Sequence, residues 1–350
     1  MQRAFDYNEI PAPYAIFLIF VTILDYPYFG RSEKTAWEIP MFYRDTPVWI
    51  AFRKFGLEAT LGISAENGKS KIEAMITTIS RAVEISENIL QPKIDSLVKS
   101  GYFTIRNYHR QLRSRYGFFR EEAIGSFAKA GWDITAEQDY RHAFLDYLKN
   151  ADLVDRGEYF STAMIDSYFS WLEHFLVLAI PFLQAGTAIQ DVPDFMRLSW
   201  ADKLKRVFNL STDAAAKGHY DILLAIKEEH RNPAAHGEYD KRGSNILVHM
   251  PKIGAIPLSL SRTPDYVKYE LPMRNSTSFG SIIGKLDSFD QFIGEGSLSR
   301  AFEYAESGLP LAYDERSRTA LSDASKSDEA FTALLHKIAY FHDEAANMDW

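Results

Sequence analysis

One stretch constrains this chain more than any other. Between Tyr159 and Ile180, Met164, Ile165, Tyr168, Leu172, Phe175, Leu176 and Ala179 recur at three- and four-residue spacing, up to Pro181. That period is helical, and an apolar face this broad must be covered by several neighbours rather than one. The expected architecture is therefore mainly α, a helical bundle built around this segment. Asp166, Ser170 and Glu173 fall at i, i+4 and i+7 of the same helix and form a polar stripe along it.

Further helices follow from the same periodicity. Lys69–Leu90 carries Ile72, Ile76, Ile79, Val83 and Leu90 at helical spacing, and Pro92 is expected to end or kink it. Thr135-Ala136-Glu137-Gln138 resembles a capping box ahead of Tyr140, Phe144 and Leu148. Ser199 caps a helix with Trp200, Leu204, Val207 and Phe208 inward, and Tyr220–His230 packs through Ile222, Leu223 and Ile226. After it, NILVHM, IPLSLS and VKYELP predict a small β-hairpin or meander insertion. Helical pattern resumes from about 278 to 307, interrupted near Gly294–Ser297, and a helix is expected in the tail. The aromatic- and proline-rich first sixty residues are of α or α+β type, with a buried strand or core helix over Ala15–Leu24. The domain reading is an N-terminal region over 1–130, a helical domain over 131–310 and a helical tail over 311–350.

Composition narrows function. The 350 residues carry a net charge of −8, so any nucleic-acid contact must come from local basic clusters. There is no cysteine, which excludes disulfides, thiolate metal sites and cysteine nucleophiles. The first twenty residues lack the basic region and cleavage site of a secretory signal, and the expectation is a cytoplasmic protein. None of the nine histidines forms H-x3-H or H-E-x-x-H, and no P-loop, G-x-S-x-G or G-x-G-x-x-G occurs. Neither a metal nor a cofactor is expected.

Two segments carry candidate chemistry. Tyr102–Arg120 holds Arg106, Arg110, Arg113, Arg115 and Arg120 among aromatics, with no acidic residue. Arg106, Arg110 and Arg113 on one helix face would contact substrate phosphates; the competing reading pairs these arginines with carboxylates elsewhere. The second segment is EEHRNPAAHGEYD, Glu228–Asp240. Pro233 interrupts the preceding helix, Asn232 is a preferred N-cap, and proline then stands at the first position of a new helical start. Such a start attracts anions through its free N–H groups. Arg231 adds a fixed charge suited to phosphate, and His236 a group that exchanges protons near neutral pH.

Arg231-Asn232-Pro233-Ala234-Ala235-His236, with Gly237 after it and YFSWLEHFLVL (Tyr168–Leu178) upstream, resembles the R-N-x-x-x-H signature of HEPN domains (higher eukaryotes and prokaryotes nucleotide-binding). The likeness covers roughly 135–308. It implies a HEPN-like helical bundle and a metal-independent endoribonuclease acting on RNA as a homodimer with a composite active site. Toxin–antitoxin or antiviral defence is the implied setting, with an antitoxin or regulatory protein as partner. His236 would move the proton, Arg231 stabilise charge on the phosphate and Asn232 orient the site; Asn232 as a helix cap is the structural alternative. Glu173 or Asp166 either positions Arg231 or faces solvent. A HEPN-like module that binds RNA, nucleotide or protein without catalysis, and a purely structural helix end, are the competing readings.

Overall fold

Contacts divide the chain into two units, Met1–Phe103 with Ser327–Trp350, and Thr104–Lys326. The structure, a computed structural model, describes residues 2–4, 13–131, 140–183, 191–228, 246–252, 254–262, 267–270 and 279–348. It is mainly helical with small antiparallel sheets.

In the first unit, strands β1 (Gln2–Ala4), β2 (Thr35–Tyr43), β3 (Thr46–Arg53) and β4 (Gly56–Leu61) form an antiparallel sheet in the order β1-β4-β3-β2. Alternation sends Trp37, Ile39, Met41, Val48, Ile50, Leu57, Ala59 and Leu61 to one face. There they meet Ile16 from α1 (Pro13–Phe17) and Ile72, Met75 and Ile79 from α2 (Ala65–Lys99). Pro40 is tolerated within β2 because that strand lies at the sheet edge, where a missing N–H breaks no ladder bond.

The run Ala15–Leu24 takes the helical one of its two expected forms and is not a strand: α1 continues into a π-helical turn, Leu18–Ile23. Ile16 and Ile19, three apart, are the residues it buries, so helical spacing governs the run. Nor does Pro92 end its helix, since α2 runs 35 residues straight through it. Residues 88 and 89 and 91–97 are all exposed, so water can satisfy the carbonyl that proline leaves unpaired. The helix stops instead at Gly101, which takes a left-handed conformation (φ 76°). Its N–H bonds Val98 O and the next N–H bonds Leu97 O, a Schellman closure. Helix α11 (Asp328–Asn347) also belongs to this unit, its N-terminus capped by the Ser327 hydroxyl.

The second unit is organised around α4 (Tyr140–Ala179), which packs against α3 (His109–Lys129). Helical spacing predicts two helices where α4 runs. The structure joins them across a non-helical Asn150, whose side-chain amide donates to Ala130 O at the end of α3. Trp171, Leu172, Phe175, Leu176 and Leu178 are fully buried. By length and composition the stretch Asn150–Phe182 is apolar enough to cross a membrane, but 72% of its most apolar window is buried inside the protein. It is a core helix. Around it stand α5 (Val192–Arg197), α6 (Trp200–Val207), α7 (Ala214–Ile226), α8 (Phe279–Glu295), α9 (Ser299–Ser307) and α10 (Glu315–Ala324). Two short strands, β5 (Thr104–Ile105) and β9 (Leu311–Ala312), pair antiparallel. Strands β6 (Ile246–Met250), β7 (Gly254–Arg262) and β8 (Val267–Glu270) form the meander expected after α7.

The unit boundaries fall at 103/104 and 326/327. Helix α3 belongs with α4 because the two pack along their lengths. Gly157 of α4 has no room for a side chain beside the Phe127 ring of α3. The tail is two helices, α10 grouped with the second unit and α11 with the first.

Candidate active site

Helix α7 begins at Asp213, whose carboxylate accepts from Ala216 N at 2.9 Å. It buries Ala216, Tyr220, Leu223 and Ile226 along one stripe. At its far end the Lys227 ammonium lies 4.9 Å from the ring centre of Phe169 on α4 and 5.4 Å from that of Trp200 on α6. Phe169 and Trp200 pack at 4.9 Å, and Trp200 packs on Tyr220 at 5.9 Å. Three helices thus converge on one aromatic cluster where α7 ends. The described chain stops at Glu228; Arg231, Asn232 and His236, the catalytic candidates, lie outside the described residues, as do Pro233 and the Thr135–Gln138 capping box.

The polar stripe of α4 lies on the side of that helix bearing Phe169. Glu173 approaches Lys203 of α6, Oε2 to Nζ 3.3 Å. The lysine is 3% exposed and the Glu173 carboxylate half-open to solvent. Asp166 is half-buried, and its carbonyl accepts from the Ser170 hydroxyl at 2.8 Å. Sequence reasoning missed Lys203. The available signal was its place in α6, one helical turn from both Trp200 and Val207 and therefore inside the apolar stripe.

The arginine segment is used differently from one continuous helix face. Arg106 precedes α3 and is exposed, because the chain from 104 to 108 is first a two-residue strand and then an irregular segment. Arg110 Nε donates to Glu306 O at 2.7 Å, at the C-terminal end of α9. Arg113 pairs with Asp290 at 2.7 Å, and its guanidinium lies 4.4 Å from the Trp171 ring centre and 5.2 Å from that of Tyr116. Arg120 holds both carboxylate oxygens of Asp287, at 2.6 and 2.7 Å. Trp171 is roughly 140–160° around α4 from Asp166 and Glu173. Arg113 and the polar stripe therefore occupy opposite sides of that helix. The Tyr168 hydroxyl donates to Asp290 at 2.8 Å, and burial pushes the Asp290 carboxyl up against the opposing pull of Arg113.

Among the described residues no cluster of three or more His, Asp or Glu is placed to hold a metal ion. No protein-family model, curated protein or solved structure matches the chain.

Proposed function

We propose that this chain is a metal-independent endoribonuclease of the HEPN type, its second unit a HEPN-like bundle and its active site completed by a second copy. The observation that carries the reading is the order Arg231-Asn232-Pro233-Ala234-Ala235-His236 immediately after a helix that ends beside the polar-stripe side of the central core helix. His236 takes the proton of a ribose 2′-OH as O2′ attacks the adjacent phosphorus. The P–O5′ bond breaks, and a second His236, from the other copy, returns a proton to the leaving oxygen. The products are a 2′,3′-cyclic phosphate and a 5′-OH end. Arg231 stabilises the charge that builds on the phosphate, and Asn232 orients the site. Defence against phage, or a toxin–antitoxin pair with an antitoxin as partner, is the setting this activity suits.

The test is cleavage of single-stranded and structured RNA in excess chelator, with end-group analysis. Wild type should give chelator-resistant cyclic-phosphate products, and His236→Ala should lower the rate about 10²–10⁴-fold, the usual scale of general acid–base catalysis. Arg231→Ala should fall similarly. Intact RNA with wild type, or undiminished cleavage by His236→Ala, ends the reading. Retained RNA binding without cleavage would identify a non-catalytic module.

A further inference from the structure

The chain enters the second unit through residues 104–110, and these are tied to the bundle by an unusual set of bonds. Thr104–Ile105 pair with Leu311–Ala312. The Asn107 amide donates to Ala305 O at 3.0 Å and Arg110 Nε to Glu306 O at 2.7 Å. Arg110 thereby satisfies a carbonyl that the end of α9 leaves without a helical partner, while Ala305 O also accepts from Gly308 N–H at 3.2 Å. The remaining two ties run to α4 and end on imidazole nitrogens. Tyr108 N–H donates to His174 Nε2 at 2.9 Å, and the Trp171 indole N–H donates to His109 Nδ1 at 3.1 Å. We propose that residues 104–110 form an acid-releasable strap, fastened to the helical bundle by two histidines that must stay neutral to hold it.

A ring nitrogen that accepts a hydrogen bond has its lone pair engaged; protonated, it becomes a donor facing another donor. Every element around the two rings makes that state unfavourable. On α3 the charged neighbours of His109 are Arg110 and Arg113. From α4 comes the other imidazole with Trp171, and from α9 the Phe302 ring, 5.6 Å from that of His109. The α9 carboxylate of Glu303 is paired with Arg300, and Asp290 of α8 with Arg113. His109 is 3% exposed. Burial, aided by Arg113, His174 and Arg110, lowers the His109 imidazole from 6.5 to about 4. Burial lowers His174 to about 4 as well.

The sign follows from linkage. A histidine whose folded-state pKa lies below its free value holds its bonds fully above about pH 6.5 and loses them as pH falls towards 4. At pH 5 each imidazole should favour the released strap about 20-fold over its balance at pH 7.

Hydrogen–deuterium exchange of the full-length protein, corrected for intrinsic pH dependence, tests this on peptides covering 104–112 and 160–180. Protection over 104–112 should fall between pH 7 and pH 5 while 160–180 stays protected. His174→Gln keeps an acceptor near the Nε2 position but cannot titrate in this range, so it should reduce the step; His109→Asn, mimicking Nδ1, should reduce it further. No local step in wild type, an unchanged step in His174→Gln, or loss of both regions in one transition would each overturn the strap. None of these outcomes depends on RNA cleavage.

Discussion

The two units manage polarity in opposite ways. The first keeps an apolar core under one sheet face and leaves other apolar groups outside. Phe42 and Trp49 stand exposed on β2 and β3, Phe55 at the β3–β4 turn, and Ile85, Ile89, Ile94 and Leu97 along the second half of α2. The second unit buries its large side chains more completely and places polar groups among them: Arg113 with Asp290, Tyr168 with Asp290, His109 with Trp171. Exposed apolar surface of this extent marks a region suited to association, whereas a polar network set among apolar side chains specifies one packing of a bundle. The difference makes the two units respond differently to the same kind of change.

The largest contrast should come from Asp290→Ala. It leaves the partly buried guanidinium of Arg113 without its carboxylate and the Tyr168 hydroxyl with only the Leu286 carbonyl, and breaking one partner of a buried pair typically costs about 3–5 kcal/mol. Urea unfolding should show it, with Asp290→Asn intermediate. A cost under about 1 kcal/mol would mean the network adds nothing to packing. In the first unit the counterpart acts in the other direction. Pro92 sits in an exposed helix interior, where proline is about 3 kcal/mol less favourable than alanine. Pro92→Ala should therefore raise amide protection over 88–99 and leave the second unit's unfolding unchanged. Reduced protection would show that proline fits a bend the helix needs.

How much of this was legible follows from where the signal is local. The central helix, its stop before Pro181, the Ser199 cap and the three-stranded meander were readable because spacing, cap chemistry and alternation each act within a few residues. The β2–β3–β4 sheet was not. Its first hairpin turns through Arg44 and Asp45, both at positive φ (48° and 62°), without the glycine or asparagine that usually marks such turns. Continuous apolarity over 15–24 hid its own period. The arginine segment looked like one helix face because nothing local announced the strand and irregular segment before His109. Its partners Asp287, Asp290 and Glu306 lie more than 160 residues away. The Glu173–Lys203 and His109–Trp171 contacts, 30 and 62 residues apart, were hidden too, since contacts across a bundle leave no spacing rule behind. The R-N-x-x-x-H candidates were legible as a motif alone.

Gly157→Ala probes the tight side of the comparison. A methyl group there would collide with the Phe127 ring between α3 and α4, and overpacking of a helix contact costs about 1–3 kcal/mol. Phe127→Leu in the same chain should recover part of the loss by making room. Two additive losses would mean the ring and the glycine do not meet.

The smallest expected effect sharpens the comparison most. Arg53 reaches across the outer sheet face to Glu38 on β2 and Glu58 on β4, the same face that carries Phe42 and Trp49. The Arg53 side chain is 44% exposed, so water and salt screen both pairs, and Arg53→Ala should cost about 0.2–1 kcal/mol, less at high salt. Such a value means that this face is open in solution and its rings are available to a partner. A loss above about 2 kcal/mol, indifferent to salt, would mean the pairs are shielded. The outer face would then be covered in the protein as it exists in solution, and the first unit would be no more open than the second.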